Sequence, residues 1–167
     1  MKEEQYRLVT DFFSTTKTRT NTVKALHDVL PLIMIVFYPL QLMCLLINNG
    51  FKSESFLKML IVPLFVLILV TIMRHIFNAK RPYEVYDYTP VVEKDTKGKS
   101  FPSRHTASAF IIAMGFLYIN LEIGIVMLAL AGAIGITRVV SGVHFIRDVI
   151  AGAAIGIVFG LLGFFLI

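Results

Sequence analysis

The chain predicts an all-α fold: a polytopic membrane helical bundle of about five transmembrane helices, preceded by an N-terminal interfacial helix. Three observations predict it. First, the 167 residues are 56% hydrophobic with a mean hydropathy of +0.75, well above a soluble domain of this size. Second, the apolar residues gather in runs near the roughly 20 residues that a helix needs to cross hydrocarbon. Third, the charged residues fall between those runs.

Residues 1–27 are charged throughout and lack the apolar centre of a cleavable signal peptide. Tyr6, Val9 and Phe13 share one helical face, so this segment is expected to lie on the membrane surface. Residues 28–167 form the membrane domain. Its first span runs from about Val29 to Ile47 and contains Pro31, Pro39 and Gln41. Neighbouring helices in a bundle can satisfy the carbonyls that those prolines free. The second span runs from about Phe56 to Met73, with Lys58 long enough to snorkel from its start. Residues 83–101 are the one long polar loop. The third span begins after Pro102 and reaches Leu121, the fourth runs from Ile123 to about Val140, and the fifth from His144 to Ile167. Gly152, Gly156 and Gly160 stand four apart in that last span, a small-residue stripe that lets another helix approach closely.

Partners follow from where charge sits. A net charge of +5 is compatible with nucleic acid, but the basic residues lie in short loops between apolar runs. Anionic headgroups or a phosphorylated lipid suit that placement, and nucleic acid does not. Cys44 is the single cysteine and sits in an apolar run, so a disulfide framework and a cysteine zinc site are both excluded. No group of carboxylates or histidines has metal-ligand spacing, so no metal and no cofactor are expected.

Three polar stretches carry chemistry: Arg74–Pro82, Pro102–His105 and Thr137–Asp148. Ionisable groups beside membrane spans are costly and usually functional. Threading five spans brings the end of the second, the start of the third, the end of the fourth and the start of the fifth to one membrane face, so all three stretches meet there. Arg74 and Arg81 are seven apart, two helical turns, and two guanidinium groups suit a phosphate dianion. Pro102 and Ser103 stand where a helix begins, a place for a cap or an anion, and His105 follows, able to protonate a departing alkoxide. His144 and Asp148 are four apart, so the carboxylate can take one ring proton and leave the other nitrogen basic. Singly, each stretch also fits an ordinary helix cap or headgroup anchor.

Together they resemble the type 2 phosphatidic acid phosphatases, a family related to bacterial acid phosphatases and vanadium haloperoxidases. The family pattern is Lys-x6-Arg-Pro, Pro-Ser-Gly-His and Ser-Arg-x5-His-x3-Asp. This chain has Arg74-x6-Arg81-Pro82, Pro102-Ser103-Arg104-His105 and Thr137-Arg138-x5-His144-x3-Asp148, with every spacing kept. The resemblance implies that His144 is the nucleophile and forms a phosphohistidine, Asp148 orients it, and His105 is the general acid. It also implies that Arg74, Arg81, Ser103 and Arg138 bind phosphoryl oxygens. Arg104 replaces a glycine, and a long cation there either adds a phosphate contact, suited to a more highly charged headgroup or diphosphate, or points to solvent.

The implied protein is a multi-pass enzyme of the cell membrane that hydrolyses a phosphate monoester or diphosphate on a lipid. Candidate substrates are phosphatidic acid, phosphatidylglycerol phosphate and polyprenyl diphosphates such as undecaprenyl diphosphate. Phosphoryl transfer to a second lipid through the same intermediate, or phospholipid binding without catalysis, are the alternatives. The facing of the site stays open. Of 16 Lys and Arg, only Lys52 and Lys58 fall on the opposite face, which favours a cytoplasmic site. The resemblance implies a site outside the cytoplasm.

Overall fold

The computed structural model describes residues 3–166, so Lys2 of the charge count and Ile167 of the fifth predicted span lie outside the described residues. Seven α-helices follow in order: α1 (Glu3–Ser14), α2 (Lys17–Asn49), α3 (Glu54–Phe77), the single turn α4 (Pro82–Val85), α5 (Arg104–Ile119), α6 (Leu121–Val140) and α7 (Ile146–Gly160). A π-helical turn, Leu161–Leu166, extends α7. Four of these helical segments are long and apolar enough to cross a membrane, and α5 is a shorter apolar helix beside them. The chain is a multi-pass membrane protein with a helical-bundle fold.

Helix ends obey local chemistry. The Thr16 side chain accepts from the Arg19 N–H at the start of α2, and Gly50 ends that helix with φ 81°, a left-handed angle a Cβ disfavours. Nothing between Lys17 and Pro31 breaks the helix, so the lead-in expected on the surface is divided. Only α1 stands apart, while residues 17–27 form the first turns of α2. Pro31, Pro39 and Pro63 all remain inside helices, as the bundle environment allows. Asn120 both closes α5 and caps α6, accepting the Ile123 N–H at 2.9 Å. The third span therefore stops at Ile119, shorter than expected.

The core explains why α5 can be short. It is packed by α3, α6 and α7, and Ala107, Ile111, Ala113 and Phe116 are all buried. The glycine stripe is where α7 meets it. A Cβ built on Gly156 would stand 2.6 Å from Phe110 Cβ and 2.9 Å from the Ala107 carbonyl oxygen. By contrast, Leu32, Val36 and Leu40 of α2 and Leu64, Ile68 and Ile72 of α3 are exposed, the apolar outer surface a bilayer would cover.

Candidate active site

The close α5–α7 contact sets the register of the site. The Ser103 N–H donates to the Asp148 carbonyl at 2.9 Å, tying the start of α5 to the first turn of α7. Ser103 occupies the position before α5 as expected, yet its hydroxyl does not cap the helix. It is fully buried and pairs with Thr106 Oγ1 at 2.9 Å.

His144 lies in the turn between α6 and α7, after Gly142 reverses the chain with φ 78°. The Val143 and His144 N–H groups both donate to the Arg138 carbonyl, so the turn folds back on the end of α6. The fifth helix begins at Ile146, two residues later than predicted. His144 and Asp148 therefore do not meet as neighbours on one helical face. They meet because Asp148 Oδ2 reaches back to accept the Phe145 N–H at 3.1 Å.

A third residue joins them. Ser100 Oγ is 3.3 Å from His144 Nδ1 and donates to Asp148 Oδ2 at 2.5 Å, whereas the direct Nδ1–Oδ2 distance is 3.5 Å. The Ser100 and Asp148 side chains are fully buried and His144 is 3% exposed. Burial pushes His144 down to about 4, against the raising effect of Asp148, so the ring is neutral near neutral pH. With Nδ1 occupied, Nε2 is the nitrogen left for chemistry.

Arg74 and Arg81 reach the site by different routes. Asn78, in the left-handed conformation at φ 39°, ends α3, and Arg81 sits in extended backbone before α4. They are not two turns of one helix, as the spacing suggested. Arg74 Nη1 donates to the Pro102 carbonyl at 3.0 Å, and Arg81 donates to the Gly98 and Val143 carbonyls, both at 3.2 Å. Each guanidinium thus braces the loops that surround it. Glu84 completes the brace, with Oε2 accepting from the Arg81 and Gly98 N–H groups at 2.7 and 2.8 Å.

Between these groups lies a cavity of about 470 Å³, lined by Arg74, Arg81, Arg104, His105 and His144. Lys94, Lys97 and Lys99 from the long polar loop line it too, and no carboxylate does. Such a cavity favours a multiply charged anion. Among the described residues no group of three or more His, Cys, Asp or Glu is arranged to hold a metal.

Arg138 is placed differently. It lines an adjoining cavity, together with Lys94 and His105. Its guanidinium turns to α2, where Nη2 donates to the His27 carbonyl at 3.0 Å and Nη1 to a nitrogen of the same buried ring.

Sequence reasoning missed Ser100, Glu84, Lys94 and His27. Ser100 and Lys94 look like ordinary loop residues, and only their burial separates them from their neighbours. It also missed how α1 contributes. Tyr6 is fully buried, its ring packs on Tyr86, Tyr88 and Phe145, and its hydroxyl lies 3.5 Å from the His144 carbonyl. Tyr88 donates to the Gly142 carbonyl at 2.7 Å, so this aromatic group holds the His144 turn from outside.

The chain is similar to several known proteins. The bacitracin transport permease protein BcrC of Bacillus licheniformis is 43% identical over 65 residues, 39% of this chain and 32% of that protein. The lipid A 1-phosphatase of Porphyromonas gingivalis is 33% identical over 136 residues, 75% of this chain and 28% of the relative. The chain spans about a third of the length of these curated relatives. The crystal structure of Aquifex aeolicus LpxE superposes with a TM-score of 0.73 at 28% identity, covering 96% of this chain and 92% of that one. A transmembrane phosphatidylglycerolphosphate phosphatase from Bacillus subtilis gives the same TM-score at 20% identity, covering 96% and 83%, and so shares the fold. The PAP2 superfamily profile matches residues 55–166, which hold all three polar stretches, and with that match the chain belongs to the PAP2 superfamily.

Proposed function

We propose that this protein is a lipid phosphatase of the cell membrane that works through a phosphohistidine. The carrying observation is His144, buried and neutral, with Nδ1 held by Ser100 and Asp148 at the edge of a carboxylate-free cationic cavity. A phosphoryl group enters between Arg74, Arg81 and Arg104. His144 Nε2 forms a bond to phosphorus, the bond to the leaving oxygen breaks, and His105 supplies that oxygen with a proton. Water then attacks the phosphohistidine and returns a proton to His105, and phosphate departs. The guanidinium groups offset the charge that builds on the phosphoryl oxygens, working in a partly buried site where such contacts are strong. Arg138 acts from the adjoining cavity, and Ser103 secures the start of α5 around the phosphate.

A lipid suits the surroundings. An apolar cleft of about 190 Å³, walled by Met34, Ile35, Ile112 and Ile134, shares Arg104 and His105 with the cationic cavity. A headgroup in the cavity leaves its tail in that cleft, on the side of the general acid where the leaving group belongs. The names of the relatives, a lipid A 1-phosphatase and a phosphatidylglycerolphosphate phosphatase, support the same class of substrate. The test is phosphate release by detergent-purified protein, with chelator present, from phosphatidic acid, phosphatidylglycerol phosphate and a polyprenyl diphosphate. Release that disappears in His144→Ala is the expected result. Equal release by that variant would refute the mechanism.

A further inference from the structure

Asp148 is fully buried, yet its two carboxylate oxygens are served unequally. Oδ2 accepts from the Ser100 hydroxyl and the Phe145 N–H, and it faces His144 Nδ1 at 3.5 Å. Oδ1 is buried and accepts no hydrogen bond. The groups on Oδ2 are two neutral donors and a neutral ring, so none of them offsets the charge. A buried carboxylate without a compensating cation is costly and tends to take up a proton. Among the described residues, Arg147 is the one Lys or Arg in ion-pair contact with it, Nε standing 3.6 Å from Oδ1. The Arg147 side chain is exposed, and such a side chain is ordinarily free to turn into solvent. Here Phe145 holds it, with the guanidinium carbon 4.9 Å from the centre of the ring. Tyr6 and Tyr86 pack edge-on against that ring and fix its orientation. One residue thus serves both ends of the carboxylate: the Phe145 N–H binds Oδ2, and its ring holds Arg147 beside Oδ1.

We infer that Arg147 is a positioning residue for the nucleophile, keeping Asp148 ionised from the solvent side so that it holds the His144 ring through the reaction. The inference rests on the phosphohistidine reading above. When His144 Nε2 bonds to phosphorus, the ring gains a positive charge. The proton on Nδ1 then binds an anionic carboxylate far more strongly than a neutral acid. Arg147 is absent from the lining of the cationic cavity, so its effect on the reaction passes through Asp148.

Arg147→Met keeps the stacked alkyl chain and removes the charge. The assay is phosphate release by the whole protein in detergent, from whichever of the three lipids above it hydrolyses fastest. In Arg147→Met kcat should fall about tenfold while KM stays within about twofold, the size expected of one charged contact. Arg147→Lys restores a cation and should recover most of the loss. In the Asp148→Asn background, adding Arg147→Met should cost nothing further, because a neutral amide needs no counter-charge. Additive losses in the double variant, a rise in KM alone, or an unchanged kcat in Arg147→Met would overturn the inference and leave the phosphatase standing. Wild-type release no greater than that of His144→Ala from all three lipids would instead remove the phosphohistidine reading, and the role of Arg147 with it.

Discussion

Two histidines buried to the same 3% exposure divide this molecule into two regions with different work. His144 lies in the part that carries the family motifs, and His27 lies on α2, ahead of the matched residues 55–166. One ring nitrogen of His144 faces a hydroxyl and a carboxylate, partners that orient the other nitrogen toward the cavity, while burial keeps the ring neutral. The ring of His27 faces a guanidinium, which consumes its lone pair and makes the residue a brace. On the proposed mechanism, the same side chain at the same burial serves as a nucleophile or a strut according to its partner. Burial alone therefore does not mark an active residue.

Variants can break this comparison. The largest effect belongs to His144→Gln, which keeps size and polarity but lacks the nucleophile. Activity should fall by about 10³-fold or more in a phosphate-release assay, while His27→Gln, still able to accept from Arg138, should stay within about tenfold. Comparable losses in the two variants would erase the distinction.

Ser100→Ala comes next. It removes the hydroxyl between His144 and Asp148, and kcat should drop about 10- to 100-fold with KM little changed, as an orientation effect predicts. Ser100→Thr should recover part of the loss. An increase in KM alone would assign Ser100 to substrate binding instead.

His27→Ala removes the ring acceptor of Arg138 Nη1 and keeps the backbone carbonyl that accepts from Nη2, a cost of about 1–3 kcal/mol that thermal unfolding in detergent would register. An unchanged melting temperature would show that Arg138 finds another acceptor.

Acid sensitivity sharpens the same point. The proposed nucleophile must be neutral, and burial lowers His144 from the usual 6.5 to about 4. Activity limited by its protonation should thus persist as pH falls through 6.5 and disappear only near 4. An acidic limb near 6.5 in kcat/KM would place the ring in contact with water. The smallest effect expected is that of Tyr6→Phe. It gives up only a long contact of 3.5 Å and keeps the aromatic packing, so activity should remain within about twofold.

The reading of particular residues shows where sequence sufficed. Apolar run length placed most span ends to within a few residues, but α2 begins at Lys17 rather than near Val29, because hydropathy marks only the apolar part of a helix. Span threading then brought the three polar stretches to one end of the bundle, since helices that cross a layer in alternation leave little freedom. The route to each contact was less legible. Arg74 and Arg81 are seven apart, but a break at Asn78 lies between them, and the His144–Asp148 pair is made by a cap rather than by a helical face.

By itself the sequence determined the membrane class, the helical order and which motif residues share a face of the bundle, because hydropathy and spacing are local properties of the chain. Only the tertiary structure decided which loop serine lies between His144 and Asp148 and which α2 histidine takes Arg138. Those are contacts across 44 to 111 residues, created when α5 and α7 close on each other through small side chains, and no local pattern encodes them.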